Sequence, residues 1–523
     1  MGDTMVEDGG PSGTRSLGKT APVVGAGALI GLAVEFHWLG WSSIPGNSCG
    51  GRYRPCPEGT TPTLILAFLF TFAGAVALIV ALAAFRSSRP GRAVPGALVA
   101  AGVLIALWPG WQAYLWMRGP VLDPAWQAGQ DRPASVRGVG AWTVGEDGAT
   151  VVRARTDALV AYDSGSGDRG WVLRAPVRES VCAMSERIVD GVGLVAFARD
   201  EKPCDTVWGV DVRSGRKVWE RNISGRTVAY GQGGGGLLTA GAGVAVVSAE
   251  HAVHGYGLAD GAVRWTAELV PAAGTEGEGE DDVACEPVAA SAASATTTVA
   301  VTCGSYEGFH SAYLLTLATA TGKELSRRDL PIESYPSSAA VLSAEPFTLL
   351  VREKDERGLA AVLSYGDPGD PKREPVTIPL TADEEDLAVD ASDPAFAARP
   401  VFRAVVADGS LIVAAAKPEN DYPEQVSAYS LDDGRRLWHT DLGTPVEALA
   451  PAGPDRVAVL GESQRLWTLT TGDGTRVGEE DGTTVRDISS KLDSGPQLVR
   501  AGDGWVIVNA DGDSRPPALA IAP

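Results

Sequence analysis

The sequence predicts an all-β propeller ectodomain, with eight blades or alternatively seven, preceded by three transmembrane α-helices. Two observations support this fold class. After residue 150 a phrase recurs in which an apolar strand leads into a turn containing Ser/Thr/Asp-Gly and then into Trp. In the first quarter of the chain lie three apolar stretches long enough to form membrane helices, and no such stretch follows Trp116.

The repeated phrase sets the period of the propeller. Four copies end at Trp and two weaker copies end at an aliphatic residue: Trp171, Trp219, Trp265, Trp438, Leu325 and Val477. The first three Trp residues lie 48 and 46 residues apart. This spacing is typical of four-stranded propeller blades and differs from that of leucine-rich repeats.

Seven blades can be drawn directly on the predicted propeller, residues 138–523, as four-strand units: 138–175, 178–221, 224–268, 283–328, 336–379, 398–440 and 444–478. The chain from about residue 484 onward supplies further strands but no closing Trp strand. Residues 118–137 are predicted to be a linker. Within it, Asp123–Trp126 offers the missing strand and its Trp126, so that a strand from the other end of the chain closes the ring and removes the sheet edges.

Three predicted spans, residues 21–41, 62–85 and 93–116, can each cross a hydrocarbon core of roughly 30 Å. Residues 1–20 are polar and are predicted to be a disordered cytoplasmic tail. Basic residues precede the first span and crowd the link between the second and third spans: Arg15, Lys19, Arg86, Arg89 and Arg92. The positive-inside rule then predicts a multi-pass plasma-membrane protein with the propeller outside, although Arg52 and Arg54 oppose this bias.

The six cysteines lie in segments that this topology places outside the cell: Cys49, Cys56, Cys182, Cys204, Cys285 and Cys303. Six cysteines allow 15 pairings. Local pairs are favoured because Cys182 opens the first strand of a blade and Cys204 lies before its third strand, and two blades later the last two cysteines hold similar places. We expect these bonds to staple single blades, and buried free thiols are the alternative.

The net charge of −21 and the pI of about 4.7 disfavour nucleic acid or anionic lipid as a partner for the propeller surface. Membrane lipid around the three helices is expected. Two acidic inserts, residues 273–282 and 380–396, offer surfaces for an extracellular partner.

The phrase apolar-x-x-Asp-x-x-Ser/Thr-Gly-x-x-x-Trp resembles the repeat of pyrroloquinoline-quinone (PQQ) type propellers. The resemblance covers roughly residues 120–523 and is strongest at Asp211, Ser214, Gly215 and Trp219. It implies that the Gly permits the turn and that the repeat Trp, which Trp126 would join, docks between neighbouring blades. Quinoprotein dehydrogenases of this family would also imply adjacent cysteines over the cofactor and calcium ligands, and this chain has no adjacent cysteines.

Other motifs have simpler interpretations. Gly13–Thr20 matches the phosphate-loop pattern, but a membrane span follows it where the motif needs a soluble helix. Glu35 and His37 lie near the outer end of the first span, where snorkelling or packing against a helix is favoured over a proton relay. The acidic residues 276–282 and 383–386, and the set Asn509, Asp511 and Asp513, lack the spacing of calcium loops and are read as solvated. His251 and His254 are expected on opposite faces of a strand.

We therefore expect a non-catalytic, membrane-anchored extracellular propeller that acts as a binding scaffold, without PQQ, calcium or another metal. No catalytic, cofactor-binding or metal-binding residue is assigned. Two other hypotheses stay open: a PQQ-dependent membrane-bound oxidoreductase, and a ligand sensor coupled through the transmembrane helices. The ligand, the oligomeric state and the role of the helices beyond anchoring do not follow from the sequence.

Overall fold

The computed structural model of the protein describes these residues: 14–44, 56, 59–86, 93–118, 121–130, 140–144, 149–199, 204–223, 238–249, 251–271, 283–305, 308–366, 373–382, 385–389, 401–418, 422–462, 465–478, 482–485, 492, 495–509 and 516–521. They form two compact units, Met1–Val121 and Leu122–Pro523. The first is helical and the second consists of strands.

Three helices form the first unit: α1 (Thr14–Ser42), α2 (Thr60–Arg86) and α3 (Ala93–Arg118). Each contains a stretch long and apolar enough to cross a membrane: Pro22–Ser42, Thr60–Ala83 and Gly96–Arg118. The predicted disordered tail is wrong for Thr14–Thr20, which belong to α1. Once the apolar span has formed a helix, each added residue gains a hydrogen bond without a new nucleation cost, so the helix extends into polar sequence.

Helix α1 packs against both other helices through glycines. A Cβ atom on Gly27 would lie 2.3 Å from the main-chain oxygen of Val99, and one on Gly102 would lie 2.2 Å from that of Val24. The two backbones of α1 and α3 therefore approach more closely than larger residues allow. Small residues at such contacts are typical of helix association in membranes.

The second unit is a ring of eight antiparallel sheets, which confirms the prediction of eight blades. Blades one to four each have four strands. Blade one comprises β3 (Ala141–Val144), β4 (Thr150–Arg155), β5 (Ala158–Asp163) and β6 (Arg169–Arg174). Blade two comprises β7 (Ser180–Met184), β8 (Val192–Ala198), β9 (Thr206–Asp211) and β10 (Arg216–Asn222). Blade three comprises β11 (Leu238–Gly241), β12 (Val244–Ala249), β13 (Ala252–Gly257) and β14 (Val263–Glu268). Blade four comprises β15 (Ala284–Ala292), β16 (Thr296–Ser305), β17 (Gly308–Ala318) and β18 (Glu324–Asp329).

Blades five to seven depart from this pattern in their connections and edges. Blade five comprises β19 (Pro336–Ala344), β20 (Phe347–Glu353), β21 (Ala360–Gly366) and β22 (Val376–Pro379). Blade six comprises β23 (Thr381–Ala382), β24 (Glu385–Leu387), β25 (Ala404–Ala407), β26 (Ser410–Ala416), β27 (Gln425–Ser430) and β28 (Arg436–Asp441). Blade seven comprises β29 (Val446–Pro451), β30 (Arg456–Gly461), β31 (Arg465–Thr470) and β32 (Thr483–Val485), with β1 (Val121–Leu122) as a fifth, outermost strand.

Blade eight closes the ring with strands from both ends of the chain. It comprises β33 (Gln497–Ala501), β34 (Gly504–Val508), β35 (Ala518–Ile521) and β2 (Pro124–Gln127). In the pairing of β2 with β35, Trp126 faces Ala520 and Gln127 faces Leu519. This pairing closes the ring with main-chain hydrogen bonds and covers the outer edge of β35.

Hydrophobic clusters between neighbouring blades form the core. One cluster joins blades one and two through Trp142, Val152 and Phe197, and another joins blades five and six through Ile378 and Tyr429. Blade five lacks the repeat Trp, and Val376 takes its place: a Cβ atom on Gly434 of blade six would lie 3.2 Å from Val376. An aliphatic side chain therefore fills this junction.

Candidate binding face and the junctions between blades

The repeated phrase builds one local structure, a turn on which the preceding blade docks. At blade two, Asp211 Oδ1 accepts hydrogen bonds from the main-chain nitrogens of Arg213 at 3.0 Å and Ser214 at 3.1 Å. Gly215 then adopts a left-handed φ of 66°. A Cβ atom on Gly215 would lie 2.3 Å from the ring of Trp171, so only glycine lets the indole of blade one lie on this turn.

The same turn lowers the pKa of its Asp. In blade one, Asp163 accepts hydrogen bonds from the main-chain nitrogens of Ser166 at 2.8 Å and Gly165 at 3.1 Å. Hydrogen bonds from Ser166 to the charged carboxylate lower the pKa of Asp163. The carboxylate is therefore committed to the turn, which makes it a structural group.

Four repeat tryptophans also donate a hydrogen bond to the next blade around the ring. Their Nε1 atoms lie 2.6–2.9 Å from the main-chain oxygens of the residues after the third strand: Trp126 to Ser164, Trp219 to Leu258, Trp265 to Thr319 and Trp438 to Thr471. Trp171 is half-buried, and its Nε1 has no acceptor among the residues that the structure describes. The sequence of the repeated phrase does not reveal that the Trp171 junction lacks the hydrogen bond that the other four junctions make.

The antiparallel strand order gives the propeller two faces with different connections. The face that we call the motif face holds the turns between first and second strands and between third and fourth strands. The opposite insert face holds the connections between second and third strands and between successive blades. Two of the longest connections lie on the insert face: Asn222 to Leu238 and Glu268 to Ala284.

Exposed apolar side chains follow the same division. Among the described connections of the propeller, the large hydrophobic residues that are exposed all lie on the insert face: Val177, Val270, Tyr335 and Tyr422. Val177 is 88% exposed. The remaining exposed large hydrophobic residues of the propeller lie on outer strands.

Two disulfides reinforce the insert face. Cys182 bonds to Cys204 with an S–S distance of 2.06 Å, and Cys285 bonds to Cys303 at 2.04 Å. Each joins the first strand of a blade to the end of its second strand or to the connection that follows. The sequence predicts both pairs. Cys49 lies outside the described residues, so the pairing of Cys49 with Cys56 stays a prediction.

A small cavity of about 170 Å³ lies between the inner strands near the ring axis. Its lining comes from five blades: Ala141, Glu186, Phe402, Leu449, and Gln497 to Val499. Phe402 precedes the inner strand of blade six, and its side chain packs against the cluster between blades one and two. Its main-chain oxygen accepts a hydrogen bond from the Leu449 nitrogen of blade seven at 2.7 Å. The side chain of Phe402 therefore narrows the channel.

An ion pair lies beside this channel. Arg403 Nη2 lies 3.4 Å from Glu447 Oε2 on the inner strand of blade seven. Burial raises the pKa of Glu447, and the negative charge of Glu462 acts in the same direction, while Arg403 opposes both. The pair joins the inner strands of blades six and seven.

Comparison with known proteins shows which repeats the blades of this propeller resemble. Residues 114–362 match the family model described as outer membrane protein assembly factor BamB. The propeller is of the PQQ-repeat type. No curated protein matches the chain.

Solved structures resemble the PQQ-repeat propeller at low sequence identity. BamB from Moraxella catarrhalis is 14% identical, with a TM-score of 0.30 over 72% of this chain and 82% of its own. Quinohemoprotein alcohol dehydrogenase from Comamonas testosteroni is 12% identical, with a TM-score of 0.44 over 76% of each chain. The computationally designed Ika8 protein is 13% identical, with a TM-score of 0.45 over 77% of this chain and all of its own.

The residues around the axial cavity do not fit the quinone that gives the repeat its name. PQQ is a fused three-ring compound that carries three carboxylates, and ligand pockets of that class usually measure about 300–1,000 Å³. The cavity is smaller, and its lining combines apolar side chains with the carboxylate of Glu186 and no Arg or Lys. The described residues also contain no group of three His, Cys, Asp or Glu arranged to hold a metal.

One sequence interpretation is wrong. The acidic stretch 383–386 is predicted to be solvated, but Glu385 is fully buried in β24. Its carboxylate accepts hydrogen bonds from Gln425 Nε2, from Ser427 Oγ at 2.7 Å and from the Tyr429 hydroxyl. Arg436 Nη1 lies 3.7 Å away. The reason is tertiary: β24 pairs with β26, which turns Glu385 onto the polar face of β27.

The other candidate residues take structural places. Thr14–Thr20 of the phosphate-loop match are helical, so they form no phosphate-binding loop. His254 is buried and its Nδ1 lies 3.1 Å from Thr266 Oγ1, whereas His251 Nδ1 lies 3.2 Å from the Cys285 oxygen. Asn509 is buried and donates from Nδ2 to the Pro516 oxygen at 2.8 Å. Four acidic candidates or runs fall outside the described residues: 276–282, 383–384, Asp511 and Asp513.

Glu35 and His37 lie between helices. His37 Nε2 is 3.1 Å from Thr71 Oγ1 of α2, and its ring meets Phe68 edge-on with centroids 5.0 Å apart. A Cβ atom on Gly110 of α3 would lie 2.2 Å from Glu35 Oε2. The two side chains therefore contact different neighbours of α1, in agreement with packing against a helix.

Proposed function

We propose that this protein is a membrane-anchored scaffold whose PQQ-repeat propeller binds a polypeptide partner outside the cell through its insert face. The observation that carries the proposal is the one-sided display of exposed apolar residues. Val177, Val270, Tyr335 and Tyr422 lie on connections of the insert face, and the described turns of the motif face display none. Tyr is among the residue types enriched at the positions that contribute most to the affinity of protein interfaces.

The division of labour between the two faces supports the same proposal. Turns on the motif face bind neighbouring blades, because their Gly and Asp hold the Trp of the preceding blade. Their sequence is therefore constrained by the ring. The described connections of the insert face hold no repeat Trp, and some connections there are long, as between Asn222 and Leu238, which leaves them suited to recognition.

The disulfides support a location outside the cytoplasm. Disulfides such as Cys182–Cys204 and Cys285–Cys303 persist in oxidising compartments and are rare in the cytosol. Three helices long enough to span the membrane make this a membrane protein. The basic residues flanking the helices favour cytoplasmic links, and together these features support an extracellular propeller.

Site-specific photo-crosslinking in intact cells tests the proposal. A photoreactive residue replaces Val177 on the insert face, and the matched control replaces Asp432, whose side chain is 90% exposed on the motif face. We expect a discrete crosslinked protein from position 177 and none from position 432. Crosslinks to one protein from both positions, or from position 432 alone, would refute the assignment of the insert face.

Thiol labelling tests the location with the same cells. A membrane-impermeant maleimide is added to intact cells whose surface proteins have been denatured and reduced. It should then label Cys182, Cys204, Cys285 and Cys303. Without reduction it should label none of them. Labelling that requires lysis would place the propeller in the cytoplasm.

A titration with PQQ tests the oxidoreductase hypothesis. Saturable binding of PQQ, followed by its absorbance, would support that hypothesis.

A further inference from the structure

An exposed tyrosine lies on the insert face where blades four and five meet. Tyr335 belongs to the connection between β18 and β19 and is 39% exposed. Its ring meets that of Phe309 edge-on, with centroids 5.5 Å apart and an angle of 82° between the ring planes. Phe309 is half-buried and packs against the hydrophobic cluster between these two blades. Because the two rings are perpendicular, Phe309 covers at most one face of the Tyr335 ring.

A carboxylate is displayed on the same side of blade four. Ala284 of β15 pairs with Gly304 of β16. Two residues further along β15, the exposed Glu286 pairs with Thr302. Alternate residues of a strand share a face, so Gly304 and Glu286 lie on one face of this sheet. A Cβ atom on Gly304 would collide with the hydroxyl of Tyr335, which places that hydroxyl on the face that displays Glu286. Burial raises the pKa of Tyr335, and the negative charge of Glu286 raises it further.

The connection that carries Tyr335 is held in place by blade five. The carboxylate of Glu353 accepts hydrogen bonds from the main-chain nitrogens of Glu333 at 2.7 Å and Ser334 at 2.6 Å. The main-chain nitrogen of Lys354 donates to the Tyr335 oxygen at 2.9 Å. A segment that is already ordered loses less conformational freedom when a partner binds, which strengthens binding. Tyr335 is therefore positioned for recognition before any partner arrives.

Two neighbouring tyrosines already carry an arginine of this chain. The guanidinium of Arg327 lies 4.5 Å from the ring centroid of Tyr313, and that of Arg328 lies 5.1 Å from the ring centroid of Tyr365. Tyr335 differs from both. Within the described part of the chain, no basic side chain stacks on Tyr335 or forms an ion pair with Glu286. The ring and the carboxylate are therefore available to a cation from another molecule.

We propose that Glu286, Phe309 and Tyr335, together called the Tyr335 site, bind an arginine side chain of the partner polypeptide. A guanidinium is planar, stacks on an aromatic ring and donates paired hydrogen bonds to a carboxylate, whereas the ammonium of Lys is compact and strongly hydrated. The net charge of −21 also favours a basic partner. This inference rests on the proposed scaffold function and names the residue type that the insert face recognises.

Peptide binding to the full-length protein in detergent tests the Tyr335 site. The probes are two fluorescein-labelled peptide amides, Gly-Arg-Gly-Arg-Gly and, as its control of equal charge, Gly-Lys-Gly-Lys-Gly. Fluorescence anisotropy follows both at about 0.15 M salt, where attraction between distant exposed charges is largely screened. We expect saturable binding of the Arg peptide, with an affinity about threefold or more above that of the Lys peptide.

Two pairs of variants assign the binding to named groups. Tyr335→Leu removes the ring and should weaken binding of the Arg peptide about fivefold, whereas Tyr335→Phe keeps the ring and should bind almost as the wild type does. Glu286→Gln should weaken binding about threefold. Glu356→Gln removes the same charge from an exposed residue between β20 and β21, also on the insert face, and should leave the affinity unchanged.

Three results would each overturn the inference. They are equal binding of the Arg and Lys peptides, equal affinities of Tyr335→Leu and Tyr335→Phe, and equal losses from Glu286→Gln and Glu356→Gln. Melting temperatures of the variants show whether a loss of binding reflects a loss of folding. Tyr335→Gln replaces Tyr335→Leu if that variant does not fold.

The crosslink from position 177 separates the two proposals. If that crosslink forms but the Arg peptide does not distinguish the variants, the scaffold stands and the Tyr335 site is wrong. If the peptide binds as expected but position 177 captures no protein, the Tyr335 site stands as an arginine site and the scaffold proposal is wrong.

Discussion

The indole Nε1 of Trp126 donates a hydrogen bond to the main-chain oxygen of Ser164 at 2.7 Å, across the junction at which the two ends of the propeller meet. Trp126 belongs to β2, the strand that closes blade eight, whereas Ser164 lies in the first blade. The added Cβ atom of Gly167 would lie 2.5 Å from the same indole. The closing strand thus uses the contact that the other blades use.

Replacing Trp126 with Ala should destabilise the ring. The side chain is 9% exposed, and loss of a buried Trp costs about 3–5 kcal/mol. Trp171→Ala is the matched control, because its indole is half-buried and makes no hydrogen bond, and we expect a smaller loss. Urea unfolding of the detergent-solubilised protein measures both. Equal losses would contradict a special role for the closing contact.

Replacing Gly215 with Ala should be more harmful than replacing Gly191. Both glycines have left-handed φ values, 66° and 76°, so both substitutions carry a backbone cost of about 1–2 kcal/mol. At Gly215 the new Cβ also meets Trp171 at 2.3 Å, whereas at Gly191 it meets nothing within 4 Å. The steric conflict should add about 1–3 kcal/mol. The difference in melting temperature between the two variants measures this steric cost.

Glu353 should make the stability of blade five depend on pH. Burial acts to raise the pKa of Glu353, but hydrogen bonds from the main chain of Leu359, Glu333 and Ser334 outweigh it and hold the pKa below the ordinary value of 4.5. A lowered pKa in the folded state stabilises the protein above the unfolded pKa, and this contribution is lost as pH falls through the folded value.

The substitution Glu353→Gln should therefore reduce stability at pH 7 and have a smaller effect at pH 3. Glu356→Gln changes an exposed residue in the same connection and serves as control. Unfolding free energies at the two pH values measure the change. A loss for Glu353→Gln that is as large at pH 3 as at pH 7 would show that the carboxylate charge is not responsible.

Replacing Glu385 with Ala should destabilise the junction of blades five and six. The substitution removes the acceptor for Gln425, Ser427 and Tyr429 and leaves the charge of Arg436 without its nearby carboxylate. Breaking a buried charged contact costs about 3–5 kcal/mol. Its exposed neighbour offers the control Asp386→Ala, which should change stability by less than about 0.5 kcal/mol. Chemical denaturation of both variants measures the two losses of stability. Similar losses would show that Glu385 behaves as a solvated carboxylate.

Features that depend on local sequence could be predicted. The turn at Asp211 to Gly215 needs only an Asx carboxylate and a left-handed glycine, both of which are visible in the phrase. Closure by Trp126 follows from the one strand that the last unit lacks. The start of α1 at Thr14 could not be predicted, because polar residues extend a helix only once the adjacent span has formed.

The candidate site was less accessible to sequence reasoning. Nothing in the local pattern marks Phe402, which reaches the cluster of blades one and two from blade six. Acidic runs are usually solvated, so the burial of Glu385 against β27 has no local signal.

The sequence by itself determined the repeating blade and the three membrane helices, because both rest on periodicity and on hydrophobic length within a short stretch of chain. The tertiary structure decided that the blades number eight rather than seven, which face displays apolar side chains and where Glu385 is buried. These depend on contacts between residues far apart in sequence, which ring closure brings together and which local preferences do not encode.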